Sequence, residues 1–217
     1  MSQPIPTTTP LRTFEDHGNN VRVLAVFPDR RRMVTGSDDE PKTLRIWDLE
    51  TGVVLKAMEG HGGRGVNALA VSRDGQMIAS GDWNGEFIAW HGETGESLTK
   101  RIKAHSKEIR SVDFSPDGTV LATVSSDGMT KFWCTKTWQM SGDPIDCGDV
   151  FCVRYSPSGE LLAIATLRNI RIYNPGTREC VASFKAHTNQ TFRNATVFKD
   201  RIDYVTPRNF DRNISNL

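Results

Sequence analysis

The residues of this chain able to do chemistry are histidines, serines or threonines, and aspartates, the constituents of a nucleophilic triad, together with four cysteines. Four of the five histidines, His17, His61, His105 and His187, are spaced by 44, 44 and 82 residues, the last being two steps of 41. A catalytic set occurs once and converges on one pocket, whereas a set that returns at a fixed interval belongs to the fold itself. No Gly-x-Ser-x-Gly, His-Glu-x-x-His or phosphate-loop motif accompanies it. Cys134, Cys147, Cys152 and Cys180 lack the paired spacing of a zinc site, and no histidine lies near enough to Cys147 and Cys152 to complete one. They read as free thiols packed as small apolar residues in a reducing compartment. Asp38, Asp39 and Glu40 share a turn and read as solvated. No catalytic residue, metal ligand or cofactor site is expected.

Lys+Arg 27 against Asp+Glu 26 leaves a net charge of +1 over 217 residues, so no overall field favours nucleic acid or an anionic membrane. Arg30-Arg31-Arg32 is a local basic run that reads as a solvated turn. The opening MSQPIPTTTP has neither the basic nor the apolar region of a secretory signal. Nowhere do about 18 apolar residues run together as a spanning helix requires. An intracellular setting, cytoplasmic or nuclear, is expected, and the sequons at Asn189, Asn194 and Asn213 would matter only in a secreted protein.

The elements that must position these side chains are short strands. From Ala104 to Trp133, three runs alternate apolar and polar residues: Ile109 to Phe114, Val120 to Val124 and Met129 to Trp133. Ser-Pro-Asp-Gly at 115–118 and Ser-Ser-Asp-Gly at 125–128 separate them, which reads as a β-meander. Three strands cannot bury a face alone. The unit recurs at Val21 to Phe27, Met33 to Thr35 and Leu44 to Trp47; at Val66 to Val71, Met77 to Ser80 and Phe87 to Trp90; and at Val150 to Tyr155, Leu161 to Ala165 and Ile170 to Tyr173. Outer strands are expected at Val53 to Met58, Ser97 to Ile102 and Cys180 to Phe184. A period of 41 to 44 with four strands per unit predicts radial blades. After His187 the pattern weakens, although Val197 to Arg201 and Val205-Thr206 echo the first unit.

Trp47-Asp48 closing a third strand, Gly60-His61 opening the second unit, and the looser Asp16-His17, Ala104-His105 and Ala186-His187 carry a resemblance to the WD-repeat family of β-propellers. The third-strand ends Trp90-His91, Trp133-Cys134 and Tyr173-Asn174 stand in register with the family dipeptide. The resemblance covers residues 11–187 well and 188–206 poorly. It implies an all-β propeller of about four complete blades and part of a fifth, a portion of the seven-bladed ring the family most often builds. It also implies a hydrogen-bonded tetrad in each blade, here His17-Thr35-Asp39-Trp47, His61-Ser80-Asn84-Trp90 and His105-Thr123-Asp127-Trp133. Asn84 stands where Asp is usual. The fourth unit has Asp146, Ile164 and Arg168 near those places, so its tetrad is expected to be absent and its blade the least stable of the complete ones. A buried imidazole and indole need partners, and a carboxylate fixes the imidazole tautomer.

The domain reading is a disordered lead-in over 1–10, a propeller over 11–187, and a degenerate partial blade with a polar tail over 188–217. Leu11 to Phe14 resembles the outer strand that would complete a ring's last blade. Three outcomes follow: a portion of a longer propeller, an open arc whose blade edges self-associate or capture another protein, or a small closed ring of five. The expected function is a non-catalytic scaffold that holds protein or peptide partners on its loop surfaces. Alternatives are an enzyme with a site in the central channel and the repeat portion of a larger signalling protein. Membrane partners are excluded on this reading, and nucleic acid is disfavoured. Candidate partner-binding residues are Arg64, Trp83, Lys107 and Glu108. Trp83, in the turn Asp-Trp-Asn-Gly, either packs on a neighbouring blade or is an exposed interface anchor.

Overall fold

A computed structural model describes residues 13–39, 44–62, 65–185, 195–198 and 201–204. Its described elements are all strands, arranged as four antiparallel four-stranded sheets and a final pair. The first sheet is β1 (Val21–Val26), β2 (Arg32–Ser37), β3 (Leu44–Asp48) and β4 (Val54–Met58). The second is β5 (Val66–Val71), β6 (Met77–Asp82), β7 (Glu86–His91) and β8 (Ile102–Lys103). The third is β9 (Ile109–Phe114), β10 (Val120–Ser125), β11 (Met129–Cys134) and β12 (Ile145–Asp146). The fourth is β13 (Val150–Tyr155), β14 (Leu162–Thr166), β15 (Asn169–Tyr173) and β16 (Cys180–Lys185), and β17 (Ala195–Phe198) pairs with β18 (Arg201–Tyr204). Within each sheet the strands lie in chain order, as in a meander.

Each sheet is a blade because its first strand packs on the first strand of the next: β1 on β5, β5 on β9, β9 on β13, and β13 on β17. Alternation on the pleat gives each blade two apolar faces. Val23, Ala25, Val34, Leu44, Ile46 and Met58 of blade one meet Leu69, Val71, Ile78 and Trp90 of blade two. The other face of blade two, Ala68, Ala70, Ala79 and Phe87, meets Val112, Phe114, Leu121 and Trp133 of blade three. Ala122, Val124 and Phe132 then meet Val153, Tyr155, Leu162, Ile164 and Tyr173 of blade four. Close approach depends on two glycines: a Cβ on Gly36 would come within 2.9 Å of Val66, and one on Gly81 within 2.7 Å of Ile109.

Polar clasps join the inner strands across the blade gaps. Asn67 Nδ2 donates to the Ile109 carbonyl at 2.9 Å, and the Tyr155 amide donates to Asp113 Oδ2 at 2.8 Å. Desolvation pushes the Asp113 carboxyl up to about 6 against the pull of Arg154. The first-to-second-strand turns repeat as well. Ser72 and Ser115 each donate to the aspartate two residues on, at 2.6 and 2.5 Å, and each turn ends on a glycine of positive φ, Gly75 and Gly118.

Two expectations change here. Ser97 to Ile102 does not form a continuous outer strand: Ser97 makes a lone bridge to Trp90, and the strand proper is Ile102–Lys103. Between them the Ala89 amide donates to Thr99 Oγ1 at 3.1 Å, so a side chain interrupts the backbone ladder. Thr13 and Phe14 are not strand, and Phe14 packs edge-on against Trp47 with centroids 5.6 Å apart. Leu11, Arg12, Val205-Thr206 and the proposed lead-in lie outside the described residues.

Candidate functional site

The recurring histidine sets are buried inside the blades. In blade three, Asp127 sits 3.1 Å from His105 Nδ1, His105 Nε2 is 2.8 Å from Thr123 Oγ1, and Trp133 Nε1 donates to the same hydroxyl at 3.0 Å. The carboxylate holds the ring proton on Nδ1, so Nε2 accepts from the threonine hydroxyl. Blade one repeats the chain of bonds through His17, Thr35, Asp39 and Trp47, at 2.6 to 2.7 Å. There the guanidinium of Arg45 also donates to Asp39 and Asp16, each at 2.7 Å. Burial pushes the His105 imidazole down despite Asp127, which keeps it neutral. Burial opposes ionisation of Asp39 and Asp127, but His17, Ser37 and Arg45, and Met129, His105 and Ser106 respectively, hold the two carboxyls below the usual range. Each hydroxyl is engaged by an imidazole on one side and an indole on the other. It is a fastener, with no face left for a substrate.

Blade two corrects the expectation for Asn84. His61 Nε2 and Trp90 Nε1 both lie 2.7 Å from Ser80 Oγ, but the carboxylate on His61 Nδ1 is Asp82, at 3.2 Å. Asn84 instead donates through Nδ2 to the Gly62 carbonyl at 3.3 Å, and its backbone amide donates to Asp82 Oδ1 at 2.9 Å. In blades one and three the place of Asp82 is held by Ser37 and Ser125, whose hydroxyls accept the amides of Asp39 and Asp127. The turn folds back on itself, so either position brings a carboxylate to the same ring nitrogen. Blade four replaces the set. Cys147 Sγ lies 3.6 Å from Thr130 Oγ1 and 3.7 Å from the Tyr173 hydroxyl, and Ile164 is fully buried where the others have a hydroxyl. Burial pushes the Cys147 thiol up and the Tyr173 hydroxyl up to about 12.

The surface where chemistry is still accessible is an open cavity at the leading ends of the blades' first strands, where a propeller's channel would open. At their leading ends β1, β5 and β13 are bulged, and β9 shifts register at the same point. The residues left out of register are Arg22, Asn67, Arg110 and Phe151, one per blade. A bulge re-aims the side chain it carries, and all four line a cavity of about 670 Å³ together with Trp83, Glu108 and Arg154. Arg22 lies over the Trp83 ring at 5.4 Å, and Arg110 over Phe151 at 5.0 Å. Glu108 Oε1 accepts from Ser126 Oγ at 2.6 Å and from Arg110 at 3.1 Å. Burial works against its charge, but these partners hold the carboxyl below its ordinary value.

Of the four candidate partner-binding residues, Trp83 and Glu108 come together at this cavity. Trp83 is half-buried against Arg22 of blade one, and its Nε1 is a buried donor with no hydrogen-bond partner among the described residues. The Lys107 carbonyl accepts from Ser125 Oγ at 3.1 Å, and Lys107 does not line the cavity. Arg64 lies outside the described residues. Arg22, Arg110, Phe151 and Arg154 escaped the sequence reading, although the first three share one repeat position, directly after the first apolar residue of a first strand. The Arg30-Arg31-Arg32 run is divided: Arg32 pairs with Asp29 at 2.7 Å and covers the Phe27 ring at 4.3 Å. Among the described residues no group of three or more His, Cys, Asp or Glu could hold a metal ion, and no helix is long and apolar enough to cross a membrane.

Comparison with known proteins follows the repeats. A family model described as "WD domain, G-beta repeat" matches residues 8–48, 52–91 and 96–134. A guanine nucleotide-binding protein subunit beta of Arabidopsis thaliana is 33% identical over 130 residues, covering 57% of this chain and 34% of that protein. A ribosome biogenesis protein WDR12 homolog of Drosophila persimilis is 28% identical over 174 residues, covering 72% of this chain and 41% of that protein. A solved structure titled "Structure of U3-55K" superposes with a TM-score of 0.71 at 20% identity, covering 82% of this chain and 55% of its own. The chain therefore spans about a third to two fifths of the length of these curated relatives.

Proposed function

Since this chain belongs to the WD40-repeat family, we propose that it acts as a non-catalytic scaffold that holds protein or peptide partners at the mouth of its channel. The observation that carries this reading is the division of labour between interior and mouth. The histidine, hydroxyl and carboxylate groups are consumed as buried fasteners. The bulged residues of four successive blades line one open cavity of mixed polar and apolar character. Aromatic and arginine side chains in such a setting are the usual anchors of protein interfaces. An enzyme in the channel would need a convergent set of acid, base or metal ligands, and the cavity offers arginines and one glutamate. Propeller faces serve unrelated tasks, so the fold does not name the partner.

Affinity capture with the wild-type chain beside Trp83→Ala and Arg110→Ala tests the proposal. Loss of the same partners from both variants is expected, with unchanged melting temperatures; unchanged partner lists would remove the mouth from consideration. We assign the chain to the interior of the cell, in the cytoplasm or nucleus.

A second reading has its own observation. On β1, Leu24 is 60% exposed and Val26 51% exposed, whereas the corresponding strands β5, β9 and β13 are covered on that side by the preceding blade. This supports further contact at blade one, either with more blades of a longer protein or with a second copy. Concentration-dependent gel filtration of wild type and Leu24→Gln discriminates: an assembly lost in the variant supports a second copy, and a monomer at every concentration removes it.

A further inference from the structure

The mouth of the channel has an unmatched charge. Two of its three arginines have carboxylate partners: Arg22 Nε donates to both oxygens of Asp38, at 2.6 and 2.7 Å, and Arg110 meets Glu108 at 3.1 Å. Arg154 is held differently. Its Nη1 donates to Ser111 Oγ at 2.9 Å and to the carbonyls of Val153 and Val112 at 2.7 and 3.3 Å, all of them neutral acceptors. No ion pair joins it to a carboxylate among the described residues. Asp113 feels its charge but is engaged by the Tyr155 amide, and burial keeps its carboxyl close to its neutral form in mildly acidic solution. Three acceptors around the two hydrogens of Nη1 fix the plane of the Arg154 guanidinium, and among the described residues Nε and Nη2 are left without an acceptor at a cavity wall. Among the described residues, Arg22, Arg110 and Arg154 against Asp38 and Glu108 leave one positive charge in excess below about pH 6, where Asp113 is protonated.

A second observation points the same way. Trp83 forms another wall of this cavity, and its indole N–H is a buried donor with no acceptor among the described residues. A buried donor without a protein acceptor is costly, and an acceptor supplied by a peptide segment would relieve that cost. The geometry also selects the class of ligand. Both aromatic rings already carry a guanidinium on one face, which leaves each at most one face for the base stacking that a single-stranded nucleic acid uses. The fixed carboxylates Asp38 and Glu108 at the rim oppose a chain of phosphates. A segment with a single acidic group meets neither objection.

We infer that the mouth takes a peptide segment carrying an aspartate or glutamate, whose carboxylate seats on the uncommitted edge of Arg154 while the segment lies against Trp83. A planar guanidinium with two parallel donors free is the geometry that recognises a carboxylate. A backbone carbonyl of the same segment takes the Trp83 N–H after a small rotation of the ring. This deepens the scaffold reading and rests on it.

The test uses the full chain and short fluorescent peptide pools with one central position fixed as Asp, Glu, Asn, Gln or Lys and degenerate flanks, read by anisotropy. Acidic pools are expected to bind about tenfold or more tightly than their amide counterparts, the size of a charge-assisted hydrogen bond. Arg154→Gln should erase that preference, Arg154→Lys should retain part of it, and Trp83→Ala should weaken every pool. Thermal unfolding of each variant identifies any that fails to fold, and the reduced acidic preference of Arg154→Lys, which keeps the charge but not the paired donors, then serves in place of Arg154→Gln. Equal binding of acidic and amide pools that is still lost in Trp83→Ala would overturn this inference and leave the mouth as an interaction surface. Binding indifferent to all the variants would overturn both. No binding by any pool, or tighter binding of a single-stranded oligonucleotide than of the acidic pools, would overturn the acidic-peptide assignment.

Discussion

Blades three and four have the same strand order, inner strands of five or six residues and a shared interface, yet they are fastened by different chemistry. Blade three runs His105, Thr123, Asp127 and Trp133 into one chain of bonds. Blade four places Cys147, Ile164 and Tyr173 at the matching positions and closes them with long thiol contacts and apolar packing. The sheet forms in both. Alternation and interblade burial therefore build a blade, and the polar network is added inside a space that packing has already enclosed. Such a network is expected to stabilise chiefly by what its loss leaves behind, a buried imidazole and indole without partners.

The widest separation between the two designs should come from matched substitutions at one repeat position. Thr123→Val keeps the volume but strips both His105 and Trp133 of their partner, and should cost about 3 kcal/mol. Ile164→Val should cost about 1 kcal/mol, the removal of one methylene. Urea denaturation of the two variants measures both, and equal losses would mean that the blade-three network adds nothing beyond packing.

Blade two gives the next test, because its carboxylate sits two residues earlier than in blades one and three. Asp82→Ala should cost about 2–3 kcal/mol by leaving His61 and two backbone amides unpaired. Asn84→Ala, on an exposed side chain, should stay within about 0.5 kcal/mol. The reverse order in thermal melts would restore Asn84 to the network.

The interface between blades three and four should respond to pH through Asp113. Its folded value, raised to about 6, lies above its unfolded value, so its carboxyl favours the folded state only while protonated. That contribution is complete below about pH 4 and is lost as pH rises through 6. Asp113→Asn should therefore stabilise the chain by about 1–3 kcal/mol at pH 7.5, with the gain fading toward pH 4. His105 and Asp127 act in the opposite sense. Both have folded values below their unfolded ones, so their contribution falls as pH drops, for His105 from about 6.5 downward and for Asp127 from about 4. Denaturation across this range in Asp113→Asn and His105→Gln separates the two trends.

The smallest effect is on reactivity. Cys147 and Cys152 are buried, Cys180 is exposed, and hydrogen bonds from Thr137 and Lys136 hold the Cys134 thiol below its ordinary value. A thiol reagent should label Cys134 and Cys180 in the folded chain and reach Cys147 and Cys152 only in denaturant. Labelling of Cys147 under native conditions would show that blade four opens locally, which would be the clearest sign that its fastening is the weaker one.

The inner three strands of every blade were legible because they are five or six residues long and separated by Asp-Gly and related turns, so their pattern registers in residue type. Outer strands were less so. In blades two and three they shorten to Ile102–Lys103 and Ile145–Asp146, pairs too short for a period of two to register. The partners of His17 and His105 were readable through the family resemblance, which implies the tetrad; hydroxyl and carboxylate stand 18 and 22 residues after each histidine. Asp82 was not, since a shift of two residues within a reversing turn changes the sequence position of a carboxylate without moving it in space.

The sequence by itself determined the repeat, the all-β blades, the buried histidine sets in blades one and three and the absence of any catalytic motif. The repeat, the blades and the motif search depend on local alternation and spacing along one chain, and the histidine sets on the family resemblance that the repeats carry. Only the tertiary structure decided that Arg22, Asn67, Arg110 and Phe151 stand around one cavity, that Trp83 faces Arg22, and that Arg154 is the arginine left without a carboxylate. The reason is that a bulge is defined by the strand opposite it, and a charge is matched or unmatched only by what the neighbouring blade brings within reach.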